Sequence, residues 1–176
     1  MQWYGNIINR LEENKYVDKI ASGMDITKYY WSDRDCYYVD KVINQKDILV
    51  KKYYVCADHS KELGMGHQEW LYFKHLADMN KYLNSVFPNL NHDENAEDAE
   101  PEEWVYRYNK WYVKHTYDEE ELNKPSTIDG MTLKEVMFIE DKEKKKLEKD
   151  GKFYRYYKID EGISFGRRDY YYDWSF

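Results

Sequence analysis

The last stretch of the chain, Gly151 to Phe176, reads GKFYRYYKIDEGISFGRRDYYYDWSF and leaves few folds open. At period two, Phe153, Arg155, Tyr157 and Ile159 alternate with Tyr154, Tyr156 and Lys158. Asp160-Glu161-Gly162 then turns the chain into Ile163-Ser164-Phe165, which predicts a β-hairpin. Beyond Gly166, Tyr170, Tyr172, Trp174 and Phe176 fall on one face of a further strand, with Tyr171, Asp173 and Ser175 on the other. Burying four such rings is worth on the order of several kcal/mol. The expectation is therefore a closing strand that seals the core of a β-rich protein.

Composition points the same way. Of 176 residues 42% are apolar, an ordinary share, but 20 are Tyr and 6 are Trp, types that favour pleated surfaces and half-wet positions. The tyrosines read either as a core with polar tips or as an aromatic binding surface, and the alternation favours the core. The length suits a single domain over 1–176. A net charge of −7 argues against general binding to a DNA or RNA backbone, which needs clustered Lys and Arg. No run approaches the roughly 18 apolar residues of a membrane helix, and the opening MQWYGNIINR lacks the apolar core of a signal peptide. The expected setting is the cytoplasm, with no membrane contact. Cys36 and Cys56 fall in expected strands without metal-type spacing and read as reduced, buried thiols.

Along the chain, Tyr4, Ile7, Ile8 and Leu11 recur at helical spacing and predict a short helix ending near Asn14. Strands are predicted over Ile26 to Trp31, Cys36 to Ile43 and Ile48 to Val55, joined by the turns Ser32 to Asp35 and Asn44 to Asp47. Ala57 to Gly66 reads as loop. His67 to Phe87 fits either a strand followed by a helix or one helix, and the strand with a helix from Leu76 to Val86 is preferred. From His92 to Glu103 the chain holds seven acids, Asp93, Glu94, Glu97, Asp98, Glu100, Glu102 and Glu103, and no base. This predicts a solvated, mobile loop open to partners. Trp104 to Tyr108 and Trp111 to His115 flank Asn109-Lys110 as a two-residue hairpin. Tyr117 to Gly130 reads as loop, and Thr132 to Glu135 as a capping box that opens a Lys-rich helix.

Several short motifs recur together: Gly5-Asn6 with Asn9-Arg10-Leu11, Trp31-Ser32-Asp33-Arg34, Gly64-Met65 with Gln68, Arg107 and Asn109 before Trp111, Ile163-Ser164-Phe165-Gly166, Tyr171-Tyr172-Asp173 and Ser175-Phe176. As a set they resemble small proteins of tailed bacteriophages and prophages. The resemblance implies an SH3-like antiparallel barrel with peripheral helices, insertions at about 75–103 and 117–150, and a viral accessory role in the host bacterial cytoplasm. It brings no catalytic residue and no cofactor with it.

Among residues that could act, Arg167 and Arg168 beside Tyr170 and Tyr172 stand out, together with Arg34 and Trp31. Guanidinium forks match phosphates, and rings stack on bases. The competing reading is that these arginines brace Asp169, Asp173 or a carbonyl. Asp33 and Asp35 read as turn residues rather than an acid–base pair. His59, His67 and His75 lie eight residues apart and lack the closer pair, such as HxxxH, that a zinc site usually has. The expectation is a non-enzymatic binding protein without metal or cofactor, docking its acidic loop on a host protein such as a component of a defence system. The alternative is a nucleotide-sequestering protein, and its rings make a homodimer unsurprising.

Overall fold

The computed structural model describes residues 19–30, 32–60, 69–126, 130–135 and 152–171, with the backbone of 148–149. The expected amino-terminal helix, Trp31, His67, Tyr172, Trp174 and Phe176 lie outside the described residues, as does most of the Lys-rich helix expected after Thr132.

Among the described residues the elements follow in the order β1 (Asp25–Tyr29), β2 (Arg34–Asn44), β3 (Asp47–Lys52), β4 (Tyr54–Ala57), β5 (Trp70–Phe73), α1 (Leu76–Val86), β6 (Glu102–Arg107), β7 (Lys110–Tyr117), α2 (Glu119–Leu122), β8 (Glu148–Lys149), β9 (Lys152–Lys158) and β10 (Gly162–Phe165). The protein is α+β and β-rich, built on one large antiparallel sheet. Its strand order is β10-β1-β2-β3-β6-β7-β9-β8, while β4 and β5 pair separately. Among the described residues no ladder joins β10 to β8, so the sheet is not the closed barrel expected. It curls instead: Trp111 of β7 packs on Phe165 of β10 with ring centres 5.5 Å apart, although several strands separate them in the order.

The expected hairpin between β9 and β10 does not form. β9 pairs with β7, Val113 opposite Tyr157, and β10 pairs with β1, Ile26 opposite Phe165. The alternation marked both strands correctly but carries no information about which edge each joins. Ile159 and Ile163, on either side of the turn, are both buried and draw the connection across the core. The central meander forms as expected, except that its third strand divides. β3 stays in the large sheet, Tyr53 is buried at the break, and β4 leaves to pair with β5.

Four successive residues of β2, Cys36 to Val39, are buried, which period-two burial on one face cannot produce. Both faces are covered. Tyr37 and Val39 join Ile26, Ile48, Val50, Trp104, Trp111, Ile159 and Ile163 in the main core. Cys36 and Tyr38 join Tyr53 in a second cluster, capped by Val55, Tyr72 and Tyr170. α1 packs on β4 and β5, so this smaller unit roofs the outer side of β2. At the β6–β7 hairpin, Arg107 faces Lys110, which makes Tyr108-Asn109 the turn, one residue earlier than the spacing indicated. Both residues have positive φ (52° and 60°), as a type I′ turn requires. α2 falls within the stretch expected to be loop and opens on a capping box between Asp118 and Glu121.

Candidate functional site

Gly166, at φ 85°, turns the chain out of β10, and its amide donates to the Asp25 carbonyl (2.7 Å). The tail then crosses the outer side of β1. The buried Thr27 hydroxyl donates to the Arg167 carbonyl (2.7 Å), and Arg34 and Tyr171 exchange backbone hydrogen bonds (2.9 and 3.2 Å). Four of the six candidate ligand residues, Arg34, Arg167, Arg168 and Tyr170, thus meet at one seam between the large sheet and the β4–β5 unit.

At that seam the charges are largely engaged. Arg34 forms an ion pair with Asp169, and Arg167 reaches the same carboxylate oxygen at 3.4 Å. Arg168 lies over the Tyr72 ring at 4.3 Å and over Tyr53 at 5.4 Å, within cation–π range. Tyr170 meets Trp70 edge-on at 4.6 Å, and the Tyr53 hydroxyl donates to Asp25. Asp169 therefore plays the bracing part, while Asp173 lies outside the described residues. Burial, and then the bond to Asp25, push the Tyr53 phenol up to about 12. Burial likewise pushes the Cys36 thiol up to about 12, so neither group ionises near neutral pH. The seam offers neutral donors, ring faces and guanidiniums. Tyr53, Tyr72 and Trp70 belong to it unannounced by any local motif, because Tyr53 sits in the break after β3 and the other two in β5, far along the chain from the tail that they meet.

No family model, curated protein or solved structure matches the chain.

The acidic stretch, 92–103, is placed quite differently from a free loop. Its last two acids enter β6, where the Trp104 indole donates to Glu102 (3.0 Å) and Glu103 pairs with Lys114 (3.5 Å). Asp98 accepts from the Leu76 amide (2.8 Å) and from His75 (2.7 Å), capping α1, whose own N-cap residue supplies no side-chain bond. Asn80 donates to the Asp93 carbonyl (2.7 Å), Asn84 makes two bonds of 2.8 Å with the His92 backbone, and the Ala99 amide donates to the Tyr54 hydroxyl (2.7 Å). The orphan amides of a helix start, and a carboxylate that favours its positive end, account for the attachment. Asp93, Glu94, Glu97 and Glu100 remain exposed on this fixed backbone.

His59 packs against Tyr82 and Phe87, whereas His75 pairs with Asp98, so these two histidines serve separate contacts. Asp35 pairs with Lys52 (3.0 Å), and the Asp33 carbonyl accepts from the Tyr30 amide (2.9 Å), as turn residues do. Among the described residues no three His, Cys, Asp or Glu side chains gather as metal ligands, neither cysteine is in a disulfide, and no helix is long and apolar enough to cross a membrane.

Proposed function

We propose that this is a phage-encoded accessory protein that binds a host bacterial protein in the cytoplasm through its acidic surface, by contact rather than catalysis. A component of a host defence system fits that role. The viral setting, and an SH3-like relationship of the curled sheet, come from the motif resemblance alone. The observation that carries the reading is the anchoring of 92–101 to α1 and β4. Acids held on a fixed backbone present a preset negative pattern, which steers encounter with a basic surface and costs little ordering on binding.

The test neutralises acids that make no structural bond. Glu94→Gln, Glu97→Gln and Glu100→Gln together keep the Asp98 and Asp93 attachments. This triple variant is expected to lose most capture of the host partner at low salt, with the remainder insensitive to added salt. Equal capture of the same partner by variant and parent, at low and high salt, overturns the acidic reading. Sequestering a nucleotide is the second reading, favoured by the meeting of Arg34, Arg167 and Arg168 beside Tyr53, Tyr72 and Tyr170. It ranks second because a phosphate would have to draw two guanidiniums away from Asp169 and a third off its rings.

A further inference from the structure

Just past α1 the chain exposes its large apolar side chains rather than hiding them. Phe87 is 39% exposed and Leu90 is 59% exposed. The turn that carries them is held at both ends. The Phe87 amide donates to the Leu83 carbonyl (2.7 Å), the Leu90 amide donates to the Phe87 carbonyl (3.1 Å), and Asn91, at φ 48°, bends the chain back. His92 then meets the two-bond clasp of Asn84. His59 supports Phe87 from one side, ring centres 4.8 Å apart.

Negative charge adjoins this tip on one side. α1 has eleven residues with a single base, Lys81, and none in its last turn, so its carbonyl end is not offset by a cation of its own. The exposed acids Asp93, Glu94 and Glu97 follow directly after the clasp. An apolar projection from which a line of acids runs back along α1, Asp93 beside Asn80 and Asp98 at Leu76, is the complement of an apolar cleft flanked on one side by lysine and arginine. Apolar anchors ordered in advance beside a charged strip suit an interface in which a few side chains carry most of the binding energy.

We propose that Phe87 and Leu90 are the anchor with which the protein enters such a cleft on its protein partner. The proposal rests on the acidic-surface reading and names where the binding energy of that surface lies. Flanking charge then governs the rate of encounter, and the two side chains govern how long the complex lasts.

Site-specific photo-crosslinking in the full-length chain tests this. A benzophenone amino acid is placed in turn at positions 87, 90 and 97, and at position 108 as a distant exposed control, in lysate of the host bacterium. The expected result is one adduct shared by positions 87 and 90 and absent at 108, mapping to a partner peptide that combines apolar residues with Lys or Arg. Leu90→Ser, at a position 59% exposed, should cut the adduct formed at position 87 by about tenfold, and Phe87→Ala should do the same at position 90. Adducts at 97 but not at 87 or 90 overturn the anchor and leave the acidic surface standing. Adducts at 87 and 90 that are indifferent to Glu94→Gln, Glu97→Gln and to salt keep the anchor and overturn the acidic reading. Adducts at none of the three positions, or equally at 108, overturn both.

Discussion

Tyr108 occupies the first position of the β6–β7 turn with φ 52° and is 89% exposed. An L-residue with a bulky side chain pays for a left-handed conformation in steric strain of about 1–2 kcal/mol, and here it recovers nothing by burial. Asn tolerates that region because its short amide bonds locally. Tyr108→Asn is therefore expected to stabilise the protein by about 0.5–1 kcal/mol, seen as a higher urea midpoint with an unchanged slope. A lower midpoint would mean that the ring makes a contact that the fold needs. The same two residues show how a single position escapes sequence reading. Asn109 has the ordinary signature of a turn, but Tyr108 does not, so the residue types alone place the turn one residue late. At the seam, Arg34, Arg167, Arg168 and Tyr170 were legible by residue type, whereas Tyr53, Tyr72 and Trp70 looked like any other strand aromatics.

α1 depends on a carboxylate that lies outside its own sequence. The His75 and Leu76 bonds hold the Asp98 carboxyl below the usual carboxylate range. A group whose folded pKa lies below its unfolded value of about 3.9 stabilises fully above that value and loses its contribution as pH falls through the folded pKa. Asp98→Asn, which keeps an acceptor oxygen but removes the charge, should thus lower stability at neutral pH by about 0.3–1 kcal/mol, the usual worth of a negative charge at a helix start. The melting temperatures of parent and variant should converge below about pH 4. A gap that stays constant with pH would show that the charge of Asp98 is immaterial. Elements built from near neighbours were readable: the β1–β2–β3 meander, the β6–β7 hairpin, and β5 followed by α1 all use short connections. The acidic stretch was recognised by composition, but not its attachment, since Asp98 meets Leu76 across 22 positions. α2 did carry a local signal, the Asp118 to Glu121 capping box, within a stretch whose polarity pointed to loop.

The molecule carries two apolar clusters on opposite faces of β2, and they differ in what fastens them. The main core, with Trp104, Ile48, Val50 and Ile26 fully buried, is woven through the large sheet by continuous ladders. The smaller cluster of Cys36, Tyr38 and Tyr53 is closed by the β4–β5 unit and by the tail, chiefly through Tyr170 on Trp70 and Arg168 on Tyr72. Units with fewer buried apolar contacts open at lower free energy than the global transition. The β4–β5–α1 unit, which carries the acidic stretch and the Phe87 tip, is then the part free to open without unfolding the sheet. Tyr170→Ala removes the ring that closes the seam, at a cost of about 1–2 kcal/mol, below that of a fully buried aromatic. Native-state hydrogen exchange of this variant should show faster exchange at Val55 to Ala57 and Trp70 to Phe73, with Ile48, Val50 and Trp104 unchanged. If the amides of both clusters lose the same protection, the two cores open as one. The acidic stretch and the Phe87 tip would then be no looser than the sheet that holds them.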